Sequence, residues 1–288
     1  MKNIENLILE YKNIFENYLD SQLNLLPKCE LSDTIIYSLK NGGKRLRPVL
    51  MLITANLLGV ELDRVLPFAY SLEIIHSSSL VHDDLPAIDN DDFRRGRLSC
   101  HKKFGEAEGV LCGDAMLNYA YESALANCKD LKDIKCLYAL SFLTGINGML
   151  GGQYLDVTCE KRKISSNEIL YIIQKNKTGA LIVASFEIAG ILAETKYIEN
   201  LKEFGLNLGV AFQILDDILD VESSNEILGK TVGKDLSSGK LTAVSQYGIE
   251  NAKQLAEEIT QKAINSIKDI QSLNLLKDLA LYLLKRNK

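Results

Sequence analysis

Five aspartates fall within ten residues in His82-Asp83-Asp84-Leu85-Pro86-Ala87-Ile88-Asp89-Asn90-Asp91-Asp92, and Phe93-Arg94-Arg95-Gly96 comes next. The stretch before it, Val65 to Val81, is apolar enough to be buried helix. Carboxylates crowded at the mouth of such a helix repel one another unless a cation sits among them. Oxygen-only ligands suit a hard divalent ion, magnesium first. Taken alone, the stretch also reads as an acidic loop between two helices. A second cluster, Asp216-Asp217-Ile218-Leu219-Asp220, decides between the two readings. It ends an otherwise apolar run, Ala211-Phe212-Gln213-Ile214-Leu215. Asp216 and Asp220 are four apart and share a helix face. Like charges at that spacing cost roughly 0.2–0.5 kcal/mol even when exposed, and unpaired buried carboxylates cost more. Two such clusters point to a pair of metal-binding walls.

Anion-binding groups accompany them. Gly42-Gly43-Lys44-Arg45-Leu46-Arg47-Pro48 sets three cations beside two glycines at a helix start, where backbone N–H groups and the helix dipole favour phosphate. Arg94 and Arg95 come directly after the first aspartates. Lys177-Thr178-Gly179 stands at another expected helix start, and Lys230, Lys234 and Lys240 lie beyond the second cluster. Each alone reads equally well as a solvated charge. With two magnesium-type clusters they suggest a substrate carrying diphosphate. Glu73 and His76 have the ExxH spacing of di-iron bundles, but no second ExxH accompanies them, so His76 is read as facing diphosphate.

The elements that must position these residues read as helices throughout. All four prolines lie at or before Pro86, and the chain beyond Pro86 is rich in Leu, Ile, Ala, Lys and Glu. Helices are expected over Ile4–Leu23, Leu31–Leu39 (Ser32 and Asp33 as caps), Pro48–Leu58, Asp63–Asp84, Glu106–Asn127 and Leu131–Leu150. Further ones are expected over Asn167–Lys175, Thr178–Ala193, Ile198–Val221, Thr242–Ile270 and Leu273–Leu284. No hairpin signature appears. Gly105, Gly109 and Gly113 recur every four residues, which suggests close helix–helix approach. The fold class is all-α: a single-domain bundle of about ten or more helices, residues 1–288, around a central cavity.

Composition narrows the function. Net charge is −5 and 47% of the 288 residues are apolar. No basic nucleic-acid footprint is expected, and no membrane span. The N-terminus resembles neither a signal nor a transit peptide. Six cysteines without CxxC spacing read as reduced thiols of a cytoplasmic protein rather than a zinc site.

The order and spacing of these motifs resemble the trans-isoprenyl diphosphate synthases along nearly the whole chain. His82-Asp83-Asp84 through Asp89 to Arg94-Arg95-Gly96 resembles their first aspartate-rich motif, and Asp216 to Asp220 their second. Gly42 to Pro48 resembles their isopentenyl diphosphate motif. Gly151-Gly152-Gln153 with Asp156, Lys177-Thr178 and Phe212-Gln213 also match. The four residues between Asp84 and Asp89 are as in bacterial farnesyl and plant-type geranylgeranyl diphosphate synthases.

The resemblance implies that Asp83, Asp84 and Asp89 hold magnesium on the allylic diphosphate from one wall, and Asp216, Asp217 and Asp220 from the other. It implies that Arg94, Lys177, Gln213 and Lys230 hold the allylic substrate. Lys44, Arg47, His76 and Arg95 would hold isopentenyl diphosphate without metal, with Thr178 and Lys240 lining the same cavity. The tail Leu284-Lys285-Arg286-Asn287-Lys288 would fold over the mouth, and a homodimer is implied. The reaction implied is ionisation of an allylic diphosphate, aided by magnesium and fixed cations. The isopentenyl double bond then attacks head-to-tail and the departed diphosphate takes the final proton.

Product length is expected to depend on Ser78 and Ser79, one turn before Asp83. Farnesyl synthases usually carry an aromatic at the position of Ser78, so the pocket floor is expected to be open toward C20 unless Met116 or Tyr119 fills it. Two rivals are a class I terpene cyclase and a non-catalytic subunit of a heteromeric prenyltransferase. The cyclase pattern of the second motif is absent, and such subunits commonly lose an aspartate cluster that this chain keeps.

Overall fold

The computed structural model describes residues 2–164, 166–226 and 241–285. The chain before the first aspartate cluster forms α1 (Lys2–Leu23), α2 (Glu30–Leu39), α3 (Leu46–Leu57) and α4 (Leu62–Asp83). After it come α5 (Cys100–Phe104), α6 (Glu106–Ala126), α7 (Leu131–Thr144), α8 (Met149–Arg162) and α9 (Asn167–Ile173). A π-helical turn (Gln174–Gly179) leads into α10 (Ala180–Leu192) and α11 (Ile198–Glu226), and α12 (Ala243–Tyr247), α13 (Ile249–Ser266) and α14 (Asn274–Leu284) complete the described chain.

α4 and α11 carry the two aspartate clusters. α4 is buried on most sides, from Val65 to Val81, and packs on α6 and α3. α11 packs on α10 and α13. Apolar side chains all round a helix require neighbours all round it, and α10 supplies them from the middle: it touches α3, α4, α7 and α11.

Several elements depart from the sequence expectation. α2 begins at Glu30 with Cys29 as its cap residue, so Ser32 and Asp33 lie inside the helix. α7 and α8 are separate, broken between Gly145 and Gly148, where the sequence pattern predicts one helix to Leu150. A Cβ on Gly148 would meet the Leu143 carbonyl oxygen at 1.9 Å, so the break needs glycine. Gly151-Gly152-Gln153 is then helical, inside α8. The stretch Leu131–Arg162 is long and apolar enough to cross a membrane by length and composition, against the expectation of none. The break leaves two helices of 14 residues each, shorter than the about 20 that a span requires.

A two-stranded hairpin, β1 (Phe93–Arg94) and β2 (Arg97–Leu98), interrupts the all-helical reading. Its turn residues Arg95 and Gly96 have φ of 53° and 78°, the left-handed pair of a type I′ turn. Arginine at the first position hides the usual Asn-Gly signature.

The recurring glycines do mark close approach. A Cβ on Gly113 would meet His82 Nε2 at 2.1 Å, and one on Gly109 would meet His101 and Leu85 at 3.1 Å. Gly105 instead caps α6 at φ 120°.

Candidate active site

The loop after α4 folds back over the helix end. Its backbone N–H groups cap the last carbonyls: Asp89 N donates to Asp83 O at 2.9 Å, and Asp91 N to Asp84 O at 3.1 Å. The terminal carbonyls of a helix need such partners. Here they bring Asp89 back beside Asp83 across the four residues that separate Asp84 from Asp89.

A cavity of about 760 Å³ opens there, within the range that holds substrate-sized ligands. Asp83 and Asp89 line one wall, and Asp216 and Asp220 on α11 line the cavity too. Lys44, Arg47, His76, Arg94, Arg95, Lys177, Thr178 and Gln213 also line it, so most residues expected at the site converge. Leu80, Ile88, Met149, Leu150, Leu181 and Phe212 add apolar surface.

Two of the six aspartates are placed otherwise. Asp84 is 3% exposed and accepts from Arg94 Nε at 2.9 Å, with a second contact from the same guanidinium. Burial raises the Asp84 carboxyl, and the Arg94 bonds oppose that rise. Asp217 is 9% exposed. It accepts from Gln213 Nε2 at 2.9 Å and from the Ala243 N–H at 2.8 Å. Thr178 Oγ1 donates to Gln213 Oε1 at 2.5 Å. One relay thus joins the π turn, α11 and the start of α12. Neither Asp84 nor Asp217 is on the main cavity wall, as the expected ligand sets had it.

Lys177 and Thr178 sit in the π turn, not at a helix start, so no helix dipole is aimed from there. π turns of this kind occur often at functional sites. Lys177 Nζ donates instead to the buried Asp156 at 2.7 Å. A Cβ on Gly152 would meet the Lys177 backbone nitrogen at 2.2 Å, so this glycine lets α8 touch the turn. Gln153 Nε2 donates to Asp83 Oδ1 at 2.7 Å. Gln153 and Asp156 match a family pattern, but their spacing gives no hint of these partners.

Arg45 is not a phosphate ligand. It is 3% exposed and donates to Glu16 at 2.8 Å, Glu73 at 2.9 Å and the Leu39 carbonyl at 2.6 Å. Glu73 is therefore committed to an arginine, which removes the di-iron reading of ExxH. His76 is half-buried, and its pKa falls well below the ordinary value through burial and the nearby charges of Arg47, Arg95, Arg45 and Arg94. Both causes favour the neutral imidazole.

Ser79 lines the cavity, its hydroxyl turned to the His76 carbonyl at 2.8 Å. Ser78 does not: it is 2% exposed and bonds to the Ile75 carbonyl at 2.8 Å. Met116 is fully buried and Tyr119 packs edge-on against Tyr70, centroids 6.3 Å apart. Ser79, not Ser78, is therefore the serine on the cavity wall. Lys230, Lys234 and Lys240 lie outside the described residues, as do Arg286, Asn287 and Lys288 of the tail.

Among the described residues no three His, Cys, Asp or Glu side chains gather closely enough to hold a metal by themselves. Carboxylates are offered from α4 with its loop and from α11, and oxygen atoms of this kind suit hard divalent cations.

Residues 28–277 match the family model for polyprenyl synthetase, and the chain belongs to that family. It is 46% identical over 263 residues to a farnesyl diphosphate synthase of Micrococcus luteus, covering 90% of each chain. It is 37% identical over 270 residues to a geranylgeranyl diphosphate synthase of Cyanophora paradoxa, covering 92% of this chain and 90% of that one. A geranyltransferase from Helicobacter pylori, solved with magnesium and isoprenyl diphosphate, superposes with a TM-score of 0.81 at 30% identity, covering 96% of each chain.

Proposed function

We propose that the protein is a prenyltransferase that condenses isopentenyl diphosphate head-to-tail with dimethylallyl or geranyl diphosphate, giving farnesyl or geranylgeranyl diphosphate. The observation that carries this is one cavity lined both by Asp83, Asp89, Asp216 and Asp220 and by Lys44, Arg47, His76 and Arg95. The first set would hold Mg²⁺ ions beside the allylic diphosphate. When bound, such ions stabilise the charge that grows on the leaving diphosphate. Arg94 and Lys177, with Gln213 and Lys230, hold the allylic diphosphate from the protein side. Asp84 orients Arg94, and Asp217 orients Gln213.

The second set holds isopentenyl diphosphate without metal. His76 offers it a hydrogen bond and is not the acid or base. The apolar wall from Leu80 to Phe212 keeps water from the carbocation. The diphosphate that has left accepts the last proton.

Incubation with isopentenyl and dimethylallyl diphosphates and magnesium tests this reading. After dephosphorylation, chromatography is expected to give farnesol or geranylgeraniol, and chelation of magnesium to abolish the product. A cyclised hydrocarbon supports a terpene cyclase. Turnover only with a partner chain supports a non-catalytic subunit.

Ser79 is the proposed product-length position, with Ser78 behind it. Ser79→Phe fills the cavity beside the growing chain and shifts product toward C15 and shorter. An unchanged product distribution in that variant contradicts the assignment.

We also read the chain as one domain that forms a homodimer. On α7, Leu131, Ile134, Tyr138 and Phe142 share one helix face, 45–79% exposed, and Ile146 beside it is 89% exposed. Such a patch marks an interaction surface. Tyr138→Glu combined with Phe142→Glu is expected to convert a dimer to a monomer in analytical ultracentrifugation. A wild-type monomer, or a dimeric variant, rules out this face. The six cysteines, all unpaired, support a reducing, cytoplasmic compartment.

A further inference from the structure

Gly42 and Gly43 adopt φ of 72° and 140°. Glycine restrains its own backbone least of all residues, so the position of this loop depends on what ties it from outside. Among the described residues the ties are specific. Arg95 donates to the Gly42 carbonyl, and its guanidinium occupies the space a Gly43 side chain would need, 2.7 Å from an added Cβ. Lys12, half-buried on α1, donates from Nζ to the Gly43 carbonyl at 2.8 Å. Asn41 donates from Nδ2 to the Arg94 carbonyl at 2.9 Å, holding the hairpin that presents Arg95. A trans peptide is planar, so fixing the Gly43 carbonyl also fixes the direction of the Lys44 N–H and the start of the Lys44 side chain.

We propose that Lys12 and Asn41, which belong to none of the sequence motifs, are positioning residues for the isopentenyl diphosphate site: together they clamp the Gly42-Gly43 loop and the Arg94-Arg95 turn in one register. Lys12 acts from α1 on the loop, and Asn41 acts from the loop on the hairpin. The inference rests on reading Lys44 and Arg95 as ligands of isopentenyl diphosphate.

The test is steady-state kinetics of Lys12→Met, Asn41→Ala and Lys44→Ala, with isopentenyl and geranyl diphosphates varied separately and thermal unfolding measured for each. Lys12→Met and Asn41→Ala are each expected to raise KM for isopentenyl diphosphate about tenfold, the worth of a charge-assisted or well-placed hydrogen bond. Their KM for geranyl diphosphate stays within about twofold, since the Arg94 guanidinium on the allylic side is held separately by Asp84, and their kcat does too, since interactions equal in ground and transition states move KM alone. Asn41 carries no charge, so it separates positioning from the general field of a cation. A rise with Lys12→Met only, a parallel rise for both substrates, or a loss of thermal stability that accounts for the change overturns the proposal. Lys44→Ala distinguishes the two levels. If it raises KM for isopentenyl diphosphate while the clamp variants do not, the clamp fails alone. If it leaves that KM unchanged, the site assignment fails and the clamp with it.

Discussion

Asp83→Asn and Asp216→Asn each lower kcat by about 10³-fold while leaving the thermal unfolding midpoint within about 2 °C of wild type. The size is that of removing one preorganised electrostatic contact to charge that develops in the transition state. Asp83 and Asp216 stand on different helices and both line the cavity. Neither substitution removes volume, so folding has little reason to respond. Asp84→Asn behaves differently. Its carboxylate is buried against Arg94, so its loss frees that guanidinium and raises KM for the allylic substrate more than it lowers kcat. Steady-state kinetics at saturating magnesium separates the two patterns. Equal effects at Asp83 and Asp84 would refute the division of roles within the first cluster.

Arg45→Met lowers the free energy of unfolding by about 3–5 kcal/mol, because it leaves a buried carboxylate without its partner. The side chains of Arg45 and Glu73 are 1% and 2% exposed, and their contact is 2.9 Å. Burial alone would pull the Arg45 pKa down, but the charges and hydrogen bonds of Glu73 and Glu16 outweigh it and raise it. The arginine also holds the Leu39 carbonyl at the end of α2, so the loss reaches three elements. Adding Glu73→Leu to Arg45→Met removes the orphaned charge and is expected to recover most of the stability. Urea denaturation checks both. A loss below about 1 kcal/mol for the single variant, in the range of an exposed ion pair, contradicts the account.

Much of the site is legible in the residues alone, since aspartates on apolar segments are costly without a cation and cations beside glycines are suited to phosphate. Which of two adjacent aspartates faces the cavity is not legible. Neighbours on a helix differ by about 100° in direction, and only packing decides that Asp83 turns inward while Asp84 turns to Arg94. Arg45 looks like Lys44 and Arg47 for the same reason: its partners Glu16 and Glu73 lie far away in the chain. The π turn escapes detection because one extra residue in a turn leaves no mark on composition. Gly151 and Gly152 suggest a break, yet their missing side chains serve contact with the Ile146 carbonyl and the Lys177 backbone. Which of Ser78 and Ser79 lines the cavity is not legible for the same reason as with the two aspartates: only packing turns Ser79 to the cavity and buries Ser78.

The exposed stripe of α7 illustrates the opposite case. Its apolar residues recur at helical spacing as core residues do, and sequence periodicity cannot say whether a face meets the protein's own interior or another chain. The structure separates the stripe from the buried face of the same helix, where Cys136, Ala139 and Leu140 pack inward.

The central claim is that α4 and α11 hold one diphosphate between them through divalent ions. The most direct measurement is a crystal structure with manganese and a non-ionising thio analogue of geranyl diphosphate, with anomalous scattering used to locate the metal. The account predicts manganese peaks within coordination distance of Asp83 or Asp89 and of Asp216 or Asp220, bridged by the analogue's diphosphate. A diphosphate bound only by Lys44, Arg47 and Arg95, with no metal against either aspartate wall, would contradict it.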